Sequence, residues 1–201
     1  MRKGLLFIIS GPAGSGKGTV VKKILEKHPE VKLSISMTTR SPRPIETPDV
    51  EYYFVTREYF KECIESDKML EYAEYNGNFY GTPRTRVEEN LEKGHDVILE
   101  IEVEGAMQVK AKYPDAVTIM LTPPNGEILE ARLRGRGTET EENILKRLAK
   151  AKIEIKILPQ YDYSVVNEDG GVEECADLVY SIIQAEHART LRTKEIISKF
   201  E

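Results

Sequence analysis

The sequence has few of the side chains from which enzymes most often build metal centres and covalent intermediates. It contains 2 cysteines and 3 histidines in 201 residues, and neither Cys63 nor Cys175 has a second cysteine or a histidine at metal-ligand spacing. Both cysteines fall on the apolar faces of predicted helices, which favours reduced thiols in the core. His28, His95 and His187 are scattered, and solvated or helix-capping roles fit them better than catalysis. A Ser-His-Asp arrangement and a catalytic pair of carboxylates are not visible either.

An excess of positive charge and a long apolar run are also missing. Lysine and arginine number 29 against 34 acidic residues, so the formal net charge is -5, and the long-range field would repel nucleic acid or an acidic membrane. An anionic substrate must therefore meet cations that are clustered locally. The apolar run after Met1-Arg2-Lys3 is interrupted by Ser10 and a glycine-rich loop before it reaches the length of a signal peptide. We expect a cytoplasmic protein that binds neither nucleic acid nor membrane, and the sequence leaves its oligomeric state open.

The glycine-rich stretch over residues 11–19 organises the rest of the chain. It follows the apolar run over residues 5–9 and precedes a helical apolar stripe, so the order is strand, loop, helix. In this context the G-x-x-x-x-G-K spacing is typical of a phosphate-binding P-loop, because glycines let backbone N–H groups turn toward an anion at a helix N-terminus. Lys17 would reach the β- and γ-phosphates, and an ordinary glycine-rich turn is the alternative. The predicted phosphate-binding residues are Gly11, Pro12, Ala13, Gly14, Ser15, Gly16, Lys17, Gly18 and Thr19.

The residue after the lysine departs from the general motif. Gly18 stands where serine or threonine is usual, and the hydroxyl of Thr19 is displaced by one position, so we expect no strong direct protein ligand for magnesium. Glu100 and Glu102 end the apolar strand predicted over residues 97–102. The carboxyl ends of parallel strands are where ligands bind in an open α/β sheet, so either carboxylate is a candidate for a water-mediated magnesium contact. A solvated strand end is the alternative for Glu100.

A second group of cations follows the first helix. Residues 31–37 alternate between apolar and polar, which predicts a strand with Ser36 and Arg40 on one face. Prolines then stiffen residues 40–44, so that Arg40 and Arg43 are held on an extended loop. A solvated charged turn is the alternative, but beside a P-loop this loop is better interpreted as a second anion site.

Two insertions are predicted between the core elements. Thr56 is placed to cap a helix and Asn76-Gly77 separates two aromatic-rich runs, so residues 52–82 are expected to form a small strand-rich insertion with a hairpin. Further on, Gly135 and Gly137 lie among arginines, which predicts a mobile flap that carries positive charge. Thr140 is expected to cap the following helix. The arginines of this region are Arg132, Arg134, Arg136 and Arg147.

Strands and helices alternate along the chain, and 201 residues suit one domain. We therefore expect an α/β protein with a three-layer P-loop fold, in which right-handed crossovers join a parallel sheet that helices cover on both faces. The final helix is predicted after a strand over residues 163–167. Its expected apolar stripe consists of Cys175, Leu178, Ile182 and Ala185.

The order of these motifs resembles that of the guanylate kinases over residues 4–189. The most specific runs are T-T-R-x-P-R-P at residues 38–44 and G-N-x-Y-G-T at residues 77–82. The P-loop and the sequences E-Y-Y-F-V at 51–55, R-L-R-G-R-G at 132–137 and V-N at 166–167 agree with them. The resemblance implies phosphorylation of GMP, and also of dGMP, by ATP with Mg²⁺ as cofactor. It also implies a core over about 1–38, 83–125 and 141–188, a GMP-binding insert over about 39–82, a lid over about 126–140 and a polar tail over about 189–201.

The resemblance also assigns the site residues. The implied GMP-binding residues are Ser36, Arg40, Arg43, Tyr52, Glu71, Tyr80, Thr82 and Glu102. The implied ATP-binding residues, besides the P-loop, are Arg132, Arg136 and Asn167. The implied catalytic residues are Lys17, Arg40, Arg136 and Arg147. The chain departs from the family in carrying Glu100 and Glu102 where aspartate is usual and Glu104 where glutamine is common.

The implied base recognition agrees with the chemistry of guanine. A carboxylate such as Glu71 can accept hydrogen bonds from N1–H and the 2-amino group, and a hydroxyl such as Ser36 can donate to O6. Kinases of AMP, CMP or dTMP are the nearest alternatives, and those bases lack this pair of donors. A GTPase is disfavoured because Asn167-Glu168-Asp169 lacks the lysine of the Asn-Lys-x-Asp motif. A non-catalytic, protein-binding module of the same fold is the remaining alternative, although such modules have generally lost parts of the cationic set present here.

Overall fold

The computed structural model describes residues 2–44, 46–135, 137, 140–193 and 200. The strands are β1 (Leu6–Ser10), β2 (Lys32–Leu33), β3 (Ser36–Thr38), β4 (Tyr52–Phe54), β5 (Met69–Tyr75), β6 (Asn78–Pro83), β7 (Val97–Glu100), β8 (Val117–Thr122) and β9 (Tyr163–Val166). The α-helices are α1 (Lys17–Lys27), α2 (Arg57–Glu65), α3 (Arg84–Glu92), α4 (Val103–Lys112), α5 (Gly126–Gly135), α6 (Glu141–Glu154) and α7 (Val172–His187), and short 3₁₀ helices cover Ile155–Gln160 and Thr190–Arg192. Within these described residues, no helix has both the length and the apolarity needed to cross a membrane.

The main sheet has five parallel strands in the order β2-β7-β1-β8-β9. Side chains alternate across β1, so Phe7 and Ile9 pack under α1 and α7, whereas Leu6 and Ile8 pack under α3 and α4. Both faces of the sheet are therefore covered by helices. This architecture confirms the predicted three-layer fold, and it places the carboxyl ends of β1 and β7 beside the P-loop.

A second sheet of four strands has the order β4-β3-β6-β5 and a small core of its own around Met37, Phe60 and Met69. β5 and β6 form the predicted hairpin, and both turn residues, Asn76 (φ 48°) and Gly77 (φ 73°), have the positive φ of a type I′ turn. The strand-rich insertion is therefore confirmed. It stands apart from the main sheet, and β3 belongs to it.

The strand predicted over residues 31–37 is wrong in one respect. The chain leaves the main sheet after β2 and enters the second sheet at β3, so a single alternating pattern is divided between two sheets. Leu33 is 38% exposed, whereas Met37 is buried in the core of the second sheet. The period of a sequence pattern specifies extended backbone but does not specify the sheet that the backbone joins.

The apolar stripe predicted for α7 is displaced around the helix. Its buried face carries Val179 and Ile183 next to Cys175, whereas Leu178 is 51% exposed and Ala185 is exposed. The helix is apolar on two sides, and spacing alone could not choose between them. The expected solvated or capping role of His187 is also wrong, because its imidazole lies largely buried 2.8 Å from a carboxylate oxygen of Asp96.

Candidate functional site

The P-loop connects β1 to the N-terminus of α1, as the glycine spacing predicts. Gly16 has φ 91°, and a Cβ atom at this position would lie 2.3 Å from the amide nitrogen of Asn167. That amide nitrogen donates to the carbonyl of Ser15 at 2.8 Å. The loop is therefore packed against Asn167, the residue that follows β9, with its backbone N–H groups at the N-terminus of α1.

Lys17 lies over the loop at the start of α1. Its ammonium group donates to the carbonyl oxygens of Gly11 at 2.7 Å and of Pro12 at 3.3 Å, and lies 3.8 Å from Glu102. Burial lowers the pKa of Lys17, and the charges of Glu102 and Glu100 oppose that shift. A buried ammonium that is held by backbone carbonyls is well placed to exchange these acceptors for phosphate oxygens.

Three polar groups on the Asn167 side of the P-loop form a connected arrangement. Arg132 donates to the backbone carbonyl of Asn167 at 2.9 Å, and Asn167 in turn donates to Ser15. Each of these residues also carries a buried polar atom without a hydrogen-bond partner among the described residues, namely Arg132 Nη1, Asn167 Oδ1 and Ser15 Oγ. Buried polar atoms are rarely left unpaired in proteins, so this cluster is suited to contact with a polar ligand.

Two carboxylates stand across the P-loop from this cluster. The Glu100 oxygens lie 3.3 and 3.5 Å from where a Cβ atom of Gly18 would be, so the Glu100 carboxylate lies directly against the start of α1. Burial raises the pKa of Glu100 although Lys17 acts in the other direction. Burial likewise acts to raise the pKa of Glu102, but the charges of Lys17 and Lys150 outweigh it, and the pKa lies below its usual value.

The residues fit a magnesium ion that is held mainly by phosphates and water. Among the described residues, no three His, Cys, Asp or Glu side chains are grouped to hold a metal. Mg²⁺ commonly binds through one or two carboxylates together with substrate phosphates. Glu100 is the carboxylate closest to the position that a hydroxyl occupies in the general P-loop motif, so the donor set agrees with a water-mediated contact.

The second sheet brings four of the predicted GMP-binding residues into one row. Ser36 on β3 pairs with Tyr52 on β4, and Thr82 on β6 pairs with Glu71 on β5. The antiparallel register of β3 and β6, in which Met37 pairs with Gly81, brings Ser36 opposite Thr82. Directly paired residues present their side chains on the same face of a sheet. One face of the sheet therefore carries two hydroxyls, a phenol and a carboxylate in line.

Glu71 is the buried end of this row. Its side chain is buried, and one carboxylate oxygen accepts a hydrogen bond from the Thr82 hydroxyl at 2.6 Å. Burial raises the pKa of Glu71, and the hydrogen bonds from Thr82 oppose that shift only in part. A buried carboxylate forms strong hydrogen bonds with a ligand that offers paired N–H donors, because water competes little for it there.

The other end of the row, where a phosphate site is predicted, is arranged around Arg40. Its guanidinium group lies 5.5 Å from the centre of the Tyr52 ring, and the Tyr52 and Tyr80 rings are 6.1 Å apart. Both terminal nitrogens of Arg40 donate to the Glu46 carboxylate at 2.9 Å, and Glu46 also accepts from the backbone N–H of Arg43. Hydrogen bonds from Arg40 and Arg43 hold the pKa of Glu46 at about 2.

Not all of the remaining arginines named in the sequence analysis lie within the described residues. Arg136 lies outside the described residues. Arg147 acts electrostatically on Glu102, whose pKa it helps to lower. Arg134 is engaged in ion pairs with Glu130 and Glu141. The side chain of Arg43 is exposed on its loop.

Several residues that contact the site were not predicted. Glu46 clasps Arg40, and Lys150 bridges Glu102 at 3.0 Å and the buried Glu154 at 3.3 Å. Gly105 of α4 lies against Glu71. The i,i+4 spacing of Lys150 and Glu154 was the one available signal. The other contacts join segments that are far apart in the sequence, or they lie within an irregular loop.

Comparison with known proteins agrees with the geometry. A model of the family described as guanylate kinase matches residues 3–186. A guanylate kinase of Lactococcus lactis subsp. lactis is 54% identical over 193 residues, which cover 96% of this chain and 93% of the relative. A guanylate kinase of Streptococcus pneumoniae is 54% identical over 186 residues, with 92% and 88% covered. The crystal structure of guanylate kinase from Anaplasma phagocytophilum aligns with a TM-score of 0.75 at 36% identity, covering 95% of this chain and 90% of that chain. The chain therefore belongs to the guanylate kinase family of enzymes.

Proposed function

We propose that the protein transfers the γ-phosphoryl group of ATP to GMP and releases ADP and GDP. The observation that carries the proposal is the row on the second sheet, where the buried Glu71 carboxylate stands at one end and the Arg40–Tyr52 cluster at the other. A guanine base and a phosphate separated by a ribose require such a pair of sites. The P-loop supplies a separate place for the triphosphate. We propose dGMP as a second acceptor because recognition relies on the base and the phosphate.

The reaction needs no general base from the protein. The second pKa of a phosphate monoester is about 6, so the acceptor phosphate is mostly dianionic at pH 7. One of its oxygens attacks the γ-phosphorus, the bond from that phosphorus to the β–γ bridging oxygen breaks, and the electron pair stays on ADP. The main obstacle is the repulsion between two anions, so catalysis consists of positioning and charge compensation.

We assign the charge compensation to Lys17 and Arg40, together with Arg147 and with Arg136 of the undescribed part of the lid. A bound Mg²⁺ would supply additional positive charge at the phosphates, and Glu100 or Glu102 would hold it through water. We place Arg132 and Asn167 on the ATP side because they line the P-loop. Arg43, Tyr80 and Ser36 complete the GMP side.

We propose that residues 36–82 act as a GMP-binding insert and residues 126–140 as a lid over the core. The second sheet with its own small core supports a separate insert, and because β3 belongs to that sheet the insert begins at about residue 36 and not at residue 39. The proposed reaction is a step of purine nucleotide metabolism, and its substrates are cellular nucleotides, so we propose the cytoplasm as the place of action.

A coupled assay with ATP and each of GMP, AMP, CMP and dTMP tests the function. We expect GMP to be preferred by about 10⁴-fold or more in kcat/KM, because a base that leaves Glu71 unpaired is heavily penalised. Lys17→Met serves as the control for contaminating kinases and should lose turnover by orders of magnitude with an unchanged circular dichroism spectrum. Equal rates with AMP and GMP would refute the assignment of Glu71.

A further inference from the structure

Gly105 is a buried glycine inside α4, although its backbone does not demand glycine. It is the third residue of the helix, and its φ is not in the left-handed region. Glycine is the poorest helix former after proline, so alanine would suit the helix better. The reason for glycine must therefore lie in what surrounds the position.

The space beside Gly105 is filled by one side chain. A Cβ atom on Gly105 would lie 2.9 Å from Oε2 of Glu71, 3.3 Å from its Cδ and 3.4 Å from its Cγ. All three of the nearest heavy atoms thus belong to Glu71. The first of these distances is shorter than the normal contact between carbon and oxygen atoms, so a methyl group here would force the carboxylate to move.

Glu71 is also held from its other sides. Its Oε1 atom accepts from Thr82 at 2.6 Å, and the register of β5 is irregular between Met69 and Glu71, as in a β-bulge that re-aims a side chain. Gln108, one turn beyond Gly105 on α4, accepts from the backbone N–H of Tyr72 and donates to its carbonyl, each at 3.2 Å. Helix α4 is thus hydrogen-bonded to β5 beside Glu71, and the absence of a side chain at Gly105 leaves space for the Glu71 carboxylate.

We propose that Gly105 is a positioning residue for recognition of the purine. The missing side chain sets the depth at which the Glu71 carboxylate lies, so the main-sheet helix α4 determines part of the specificity for a base with adjacent N–H and amino donors. This inference rests on the proposed role of Glu71 in reading guanine. It adds to the proposed site a residue that acts only through Glu71 and does not itself contact the substrate.

Gly105→Ala tests the inference in steady-state assays. We expect the KM for GMP to rise about tenfold, since a displacement of 1 Å costs on the order of 10²-fold and the carboxylate needs to move less than that. The KM for ATP should stay within about twofold, and the melting temperature should not fall, because alanine favours the helix. Ser181→Ala is the control. Ser181 lies exposed on α7, its hydroxyl donates only to the Asp177 carbonyl of the same helix, and it belongs to no assigned site, so both KM values should remain unchanged.

Combining Gly105→Ala with Glu71→Ala distinguishes an effect on the position of Glu71 from a general loss of stability. In Glu71→Ala the displaced atoms are gone, so adding Gly105→Ala should cause no further loss of kcat/KM for GMP. A normal KM for GMP in Gly105→Ala, with a raised one in Glu71→Gln, would overturn the inference and leave the proposed function standing. A lower melting temperature with equal losses for GMP and ATP would also overturn it. If Glu71→Gln itself leaves the KM for GMP unchanged, the base reader is elsewhere and both statements fall.

Discussion

At Glu71, the proposed recognition of guanine and the stability of the fold favour opposite protonation states of one carboxylate. The proposed recognition of guanine would require the ionised form, whereas burial raises the pKa of Glu71 and disfavours that form. The folded chain therefore binds a proton at Glu71 more tightly than the unfolded chain does. The ionised group costs folding free energy above its raised pKa, and this cost disappears as the pH falls through that value.

Glu71→Gln should consequently raise the stability of the fold while it weakens the binding of GMP. The amide oxygen can still accept from Thr82, so we expect a higher melting temperature than that of the wild type at pH 7, with the difference shrinking as the pH falls below the raised pKa. The KM for GMP should rise roughly 10- to 100-fold, because a hydrogen bond to a charged acceptor contributes about 1.5–3 kcal/mol. Thermal unfolding across pH and steady-state kinetics measure both effects. A variant that is less stable at every pH would contradict this account.

The loop between β3 and β4 depends on an internal ion pair. Glu46 holds both terminal nitrogens of Arg40 and the backbone N–H of Arg43. A bidentate carboxylate fixes the plane of a guanidinium group, and the Tyr52 ring lies beside it. Because the pKa of Glu46 is about 2 against an ordinary 4.5, this contribution to stability is present above pH 4.5 and is lost as the pH falls toward 2.

Glu46→Gln should leave Arg40 poorly oriented for a phosphate. An amide offers one acceptor oxygen and places its NH₂ against a donor, so we expect the KM for GMP to rise about tenfold, in line with the loss of about 1.4 kcal/mol of binding free energy, while the KM for ATP stays constant. Glu51→Gln is a matched control, since Glu51 accepts from the backbone N–H of Thr47 in the same loop. A lower KM for GMP would instead mean that Glu46 competes with the phosphate.

Elements with local signals were predictable from the sequence, and contacts between distant segments were not. The P-loop and the Asn76-Gly77 hairpin are specified by glycines and turn residues, and Thr56 and Thr140 cap α2 and α6 by accepting from backbone N–H groups as expected. The division of residues 31–37 between two sheets was missed because either sheet accepts extended backbone.

In the candidate site, too, local motifs were predictable and contacts between distant segments were not. The residues in the row across the second sheet were named through family motifs, but their alignment follows from strand order, which the sequence pattern does not specify. Gly105 was missed because the side chain that leaves no room for a larger residue there, Glu71, lies 34 positions earlier in the chain. The geometry of Arg136 stays untested, since it lies outside the described residues.

On the scale of the whole molecule, the second sheet packs against the core mainly through β5, the strand that carries Glu71. Leu70 of β5 packs into the core cluster under α4, and Gln108 clasps the neighbouring Tyr72. The Arg40 and Tyr52 end belongs to β3 and β4, on the other side of the sheet. A rotation about the β5–α4 contact would therefore move the Arg40 and Tyr52 end relative to the P-loop and leave Glu71, the proposed base-recognition residue, in place.

We expect this closure when both nucleotide sites are filled. Labels on Val50→Cys and Leu178→Cys, which replace exposed residues of the second sheet's loop and of α7, should show a higher energy-transfer efficiency with ADP and GMP together than with either alone. The native Cys63 and Cys175 are buried, and burial raises the pKa of the Cys175 thiol to about 11, so neither should compete for label. Lys93→Cys paired with Leu178→Cys reports on the core alone and should not change. An identical efficiency for the first pair in all four ligand states would mean that the sheet is already closed or does not rotate, and charge compensation would then rest on fixed side chains and the lid.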